Sequence, residues 1–203
     1  MRVVLATSNP GKVRELRAGL APLGWTLLSL ADFPLRLPKE EGATFLDNAL
    51  LKAAYVAKAT GLPALADDSG LVVPALGGEP GVYSARYGGK ATDRERNVYL
   101  LERMRGLKGE ERRAYFVAVL VLAYPDGHAE SYEGRVEGAI LEAPRGEGGF
   151  GYDPLFFVPE AGKTFAEMTL EEKARYSHRA RALEALLKAH EHGPPPREIS
   201  KLE

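Results

Sequence analysis

No cysteine occurs among the 203 residues. Disulfide scaffolds, thiolate metal sites and cysteine nucleophiles are therefore excluded. The chain also lacks an excess of either charge: 27 Lys and Arg against 28 Asp and Glu leave a net charge of −1. No global basic field points to nucleic acid or an anionic membrane, so a polyanionic ligand has to be held by local cations and backbone N–H groups. Long apolar runs are missing too. The first, at residues 3–6, stops at Thr7-Ser8-Asn9, too short for a signal segment, and no membrane-length span follows. These absences predict a cytoplasmic protein that engages neither membrane nor nucleic acid. What is present is a 45% hydrophobic composition over 203 residues, enough to build a real core. One domain over 1–203, with two lobes rather than independent domains, is the expected organisation.

Strand and helix signals alternate. Residues 3–7 read as a buried strand, and Asn9 followed by Pro10 reads as an N-cap and first helical position. A second strand is predicted over 25–30, then a loop over 31–42 ending near Glu40-Glu41. Thr44 opens a helix closed by Gly61. Asp67-Asp68-Ser69-Gly70 lies between apolar runs, where it is expected to place carboxylates at a tight turn. Residues 74–89 are rich in Gly and Pro and predict no regular element. Thr92 and Glu95 spell a capping box, as do Thr169 and Glu172. Residues 114–124 and 128–140, around Pro125-Asp126-Gly127, predict an antiparallel hairpin. A short strand follows at 155–158, Ser177 precedes a last helix, and the tail from Pro194 is expected to be loosely held. The pattern implies an α/β fold on a mixed sheet with flanking helices.

Several segments carry residues suited to phosphate chemistry. Thr7-Ser8-Asn9-Pro10-Gly11-Lys12 sits at a strand-to-helix junction, where unpaired N–H groups and the helix dipole favour an anion. Asn48 and Lys52 lie one turn apart; a solvated stripe is the preferred reading of that pair. On extended backbone Asp67 and Asp68 point to opposite faces, so one faces the chemistry and the other bonds structure. Hard divalent cations favour such oxygen ligands. Gly146 to Pro154 combines glycines with Phe150 and Tyr152, allowing close backbone approach and base stacking. Lys173, His178 and Arg179 are donors near a helix entry.

In order, these segments resemble the inosine triphosphate pyrophosphatase family. The resemblance runs from Thr7 to Arg179 and also takes in Thr44 to Ala49, Lys52-Ala53, Leu76 to Tyr87 and Gly149 to Pro154. It implies an elongated mixed sheet with two lobes around a central nucleotide-binding cleft, and a homodimer. It implies Mg²⁺-dependent hydrolysis of the non-standard purine nucleotides ITP, dITP and XTP to the monophosphate and pyrophosphate, cleansing the nucleotide pool. By that pattern Thr7, Ser8, Asn9, Pro10, Gly11 and Lys12 bind the triphosphate and Ser69 contacts substrate. Asp68 is the catalytic acid and a metal ligand. Phe150, Gly151, Tyr152, Asp153, Lys173, His178 and Arg179 form the base pocket. The metal-binding Glu of the pattern falls at Lys39 here, and the role passes to Glu40 by a shift of one residue. A pyrimidine-directed pyrophosphatase and a nucleotide sensor without turnover are the competing classes.

Overall fold

The computed structural model describes residues 1–196, arranged as two compact units. Residues 197–203, with most of the tail expected to be loose, lie outside the described residues. The first unit comprises Met1–Asp68, Ala118–Gly134 and the segment from Arg179; the second comprises Ser69–Val117 and Arg135–His178.

Seven strands form one sheet in the order β2-β1-β3-β4-β5-β6-β7. They are β1 (Arg2–Leu5), β2 (Thr26–Ser29), β3 (Ala64–Val72), β4 (Arg113–Ala123), β5 (Ala129–Ile140), β6 (Phe156–Val158) and β7 (Lys163–Thr164). β1 pairs in parallel with β2 and with β3, in register Arg2 to Thr26 and Val4 to Ala64. β5–β6 and β6–β7 are antiparallel. The sheet is therefore mixed, as expected, and the helices α1 (Pro10–Leu20), α2 (Phe45–Thr60), α3 (Asp93–Arg103), α4 (Leu170–Lys173) and α5 (His178–Ala189) complete an α/β fold.

The starts of α1, α2, α3 and α4 obey their sequence signals with one exception. Asn9 accepts from the Lys12 N–H at 3.1 Å, and Thr44 accepts from the Asp47 N–H at 3.0 Å. Thr169 and Glu172 form a reciprocal capping box. Thr92 caps α3 as expected, but Glu95 reaches past it to the Ala91 N–H, so that box is only half made. Residues 74–89 hold two short 3₁₀ stretches, Pro74–Leu76 and Gly81–Gly89, interrupted by non-helical backbone at Arg86 to Gly88. The turn expected at Asp67 to Gly70 is absent: β3 runs unbroken through it. β3 pairs with β1 at Ala64 and Leu65 and continues extended into the next apolar run, and the Asp67 carboxylate finds cations instead of local N–H groups.

Each unit has its own apolar interior. In the first, Val4, Ala49, Ala53, Val56 and Val121 pack on one side, and Leu5, Leu16, Leu20, Leu120 and Leu183 form a separate cluster. In the second, Leu71, Leu100, Met104, Phe116, Phe156 and Phe165 pack together. Among the described residues no helix is long and apolar enough to cross a membrane.

Candidate active site

β1 is buried to its end and delivers the chain to the Thr7–Lys12 junction. There Thr7 Oγ1 accepts from the Asn9 N–H at 3.2 Å, and Asn9 caps α1 through the Lys12 N–H. That cap orients the first turn of α1, so the Lys12 side chain runs to β3. Its Nζ lies 2.9 Å from Asp67 Oδ1. Lys12 is thus engaged with a protein carboxylate rather than standing as a bare point charge.

Asp67 is fully enclosed. Besides Lys12 it receives Arg179 Nε at 2.7 Å on Oδ2. Arg179 heads α5, is only 1% exposed, and extends its other terminus 2.9 Å to Glu15 Oε1 on α1. Burial by itself raises the Asp67 carboxyl, but the Arg179 guanidinium and the Lys12 ammonium outweigh it and hold the acid well below the usual carboxylate range. The family pattern puts Arg179 in the base pocket. In this structure its guanidinium spans Asp67 and Glu15, locking α1, β3 and α5 of the first unit together.

The next carboxylate is in the opposite state. Asp68 is pushed up to about 6, first by burial, then by the nearby Glu40 charge, against the lowering effects of Lys52 and Lys12 and a hydrogen bond from Asn48. Its Oδ2 is buried and has no hydrogen-bond partner among the described residues. Lys52 Nζ donates to the Asp67 carbonyl and to Glu40 Oε1, both at 2.8 Å. Asn48 Oδ1 accepts from the Gly42 N–H at 2.8 Å, tying the acidic loop to α2. A side chain at Gly42 would meet that amide oxygen at 2.7 Å, so glycine is what lets the loop close on the helix. Glu41 is exposed, whereas Glu40 faces Lys52.

Asn48 and Lys52, expected on a solvated stripe, are both buried. The signal is present in the sequence, because 48 and 52 share the spacing of the core positions 45, 49, 53 and 56. Polar residues on the apolar face of α2 mark a site, not a surface. Glu15 belongs to no motif; only its distance of one turn from Lys12 hints at a role.

The second unit gathers the remaining predicted residues. Lys173 Nζ lies 2.7 Å from Asp153 Oδ2, both buried, and 4.6 Å from the centre of the Phe150 ring. Asp153 Oδ2 also accepts from the Phe150 N–H at 3.1 Å, closing a tight loop. The Gly149 position leaves room for that carboxylate where a Cβ would collide with it. The Tyr152 hydroxyl donates to the Ser84 carbonyl at 2.6 Å, so its polar end is used inside the unit. His178 stacks on Phe116 with centroids 4.6 Å apart and planes 12° from parallel. Ser69 follows Asp68 in β3 and is partly buried.

A divalent cation would find part of its shell here. Asp68 and Glu40 are two carboxylates close enough for the charge of one to raise the other, and one Asp68 oxygen lacks a protein partner. That donor set fits a hard cation. Among the described residues no group of three or more His, Asp or Glu side chains could hold a metal by itself. The fit is therefore to an ion that takes its remaining ligands from phosphate oxygens and water, the usual habit of Mg²⁺.

Fold and site together describe an α/β protein that sets strand carboxylates beside lysines from two helices, one of them at a strand-to-helix junction, a class suited to phosphate chemistry. A sequence model of the Ham1 family matches residues 3–189, and the chain belongs to that family. It is 87% identical over 203 residues to a Thermus thermophilus protein named dITP/XTP pyrophosphatase, covering 100% of this chain and 98% of that one. A protein of the same name from Escherichia coli K12 is 50% identical, across 95% of this chain and 99% of its own. Among solved structures, a HAM1 protein from Coxiella burnetii has a TM-score of 0.87 at 41% identity, covering 95% of this chain and 100% of that one.

Proposed function

We propose that this chain hydrolyses non-standard purine nucleoside triphosphates (ITP, dITP and XTP) to the nucleoside monophosphate and pyrophosphate, with Mg²⁺ as the metal. The observation that carries the reading is the Asp68 carboxylate, buried with one oxygen unpartnered and flanked by Glu40, Lys52 and Lys12. The names of the Thermus and Escherichia relatives support the substrate class.

In this reading Asp68 and Glu40 hold the cation, which when bound neutralises phosphate charge. Asp68 accepts a proton from the attacking water as the water oxygen bonds to the α-phosphorus and the α–β anhydride bond breaks. Lys12, Lys52 and the capped start of α1, with Thr7 to Gly11, orient the triphosphate. Asp67 and Arg179 keep those groups in register without touching the reacting atoms. Lys173, Asp153, Phe150 and His178 receive the purine, with Gly151 and Tyr152 shaping their loop and Ser69 contacting substrate. A 6-oxo group accepts from donors that the 6-amino group of adenine would oppose, which favours hypoxanthine and xanthine.

We read 1–203 as one functional domain, on the strength of the family resemblance, which runs from Thr7 to Arg179. A cytoplasmic homodimer acting on free nucleotides completes the reading, on the strength of the family resemblance.

The test is a release assay with dITP, XTP, GTP, dATP and dTTP, with and without Mg²⁺. Pyrophosphate from dITP and XTP, many turnovers per enzyme and dependent on the cation, is the expected result. Efficient dTTP cleavage with inert dITP would move the chain to a pyrimidine-directed enzyme, and stoichiometric binding without release would make it a sensor.

A further inference from the structure

The glycine-rich loop at 146–153 is gripped from outside by one helix. Gly151 lies at its turn with φ of 60°, a conformation that glycine alone adopts freely. Its N–H donates to Asp93 Oδ2 at 2.9 Å, and its carbonyl accepts from Asn97 Nδ2 at 3.1 Å. Asp93 and Asn97 are one turn apart on α3, so a single helix face holds both ends of the Gly151 residue. The other Asp93 oxygen is braced by Arg96 at 2.7 Å, which fixes the carboxylate. Thr92 caps the same helix end.

α3 has an apolar anchor besides these contacts. α3 is anchored by Leu100, which joins the second unit's core together with Met104 just beyond the helix end. Asp93 is half exposed. Asn97 Oδ1 is buried with no hydrogen-bond partner among the described residues, a cost that an apolar residue would avoid. The hydrogen bond this amide makes is the one to the Gly151 carbonyl. Phe150 immediately precedes Gly151, and Asp153 with its Lys173 partner follows two residues later. Freeing Gly151 would return a mobile hinge to the centre of that group.

We propose that Asp93 and Asn97 are positioning residues that lock the Gly151 peptide and thereby set the affinity for the purine base. The inference rests on the reading of the 146–153 loop as base-binding. Because the loop contacts the base before and during reaction, loosening it removes uniform binding. KM rises while kcat holds, whereas general destabilisation lowers the active fraction and leaves KM alone.

The experiment uses the full chain with Asp93→Ala, Asn97→Ala and Asp93→Asn. For both alanine variants we expect KM for dITP to rise about 5- to 10-fold with kcat within about 2-fold of the parent, the scale of one lost hydrogen bond. Asp93→Asn keeps an acceptor and should recover most of the affinity. Amide exchange at Gly151, read without substrate, should accelerate at least ~10-fold in Asp93→Ala. Unchanged KM and unchanged Gly151 exchange in both alanine variants, in an otherwise active protein, would overturn the clamp. Faster exchange with unchanged KM would overturn its link to base affinity. A parent protein inert toward dITP and XTP would overturn the underlying reading, and with it the role assigned to the clamp, while the exchange rate would still report whether the clamp forms.

Discussion

Asp67 and Asp68 are neighbours in β3, yet their carboxylates lie in opposite electrostatic states. Asp67 is enclosed between Arg179 and Lys12 and stays ionised far into acid. Asp68, one residue on, faces Glu40 and carries an unpartnered oxygen. Extended backbone sends consecutive side chains to opposite faces, so one dipeptide supplies both a structural anchor and a reactive acid.

Asp68→Asn should nearly abolish turnover, by at least ~100-fold, if Asp68 accepts the water proton. It should also stabilise the protein. The Asp68 carboxyl is raised from 3.8 to about 6, so its contribution is fully present below the lower value and is lost as pH rises through the upper one. Removing the charge should therefore raise stability at pH 8 by on the order of 1–3 kcal/mol, with the gain vanishing below about pH 4. Paired urea melts of metal-free protein at pH 8 and pH 4 check this, and equal stability of parent and variant at pH 8 would contradict it.

Asp67→Asn should behave the other way. It leaves the buried Arg179 without its main partner, at a cost on the order of 3 kcal/mol. In the parent the stabilisation is present above the ordinary carboxylate pKa and falls away as pH drops below it, because the folded value is depressed. Thermal melts from pH 7 to pH 3 should show the gap between parent and variant narrowing with acid. A gap that widens would reverse the assignment.

Glu40→Gln should shift the Mg²⁺ concentration for half-maximal activity upward about tenfold, since one of two protein carboxylates is lost. Glu41→Gln, at an exposed position, should leave it in place. A metal titration of initial rates separates the two acids, and the reverse ranking would move the ligand to Glu41.

His178→Ala should lower the dITP-to-dATP ratio of kcat/KM about tenfold if the ring stacked on Phe116 supplies a donor to the base, as proposed. Arg179→Ala is expected to lose stability before selectivity, because it leaves the buried Asp67 with Lys12 as its remaining cation and removes the link to Glu15. A folded Arg179→Ala protein with parental stability and collapsed selectivity would return Arg179 to direct base recognition.

The local signals carry far because they are local. The Asn9 cap, the Thr169 box, the β4–β5 turn and the alternation of elements depend on a few adjacent residues, and each can be read directly. So can the family resemblance, whose segments keep their order along the chain. What adjacency cannot report is the partner of a buried charge. Asn48 and Lys52 look like a wet stripe until α2 packs against β3, and Asp67-Asp68 looks like a turn until it is seen inside an unbroken strand with Asp67 held by distant cations. Arg179 lies 112 positions from Asp67, and their ion pair exists only after α5 docks in the first unit. Residue order determined which elements form and which chemistry is available. Tertiary structure decided which carboxylate is neutralised and which is left reactive, because that choice depends on burial and on charges brought from far along the chain.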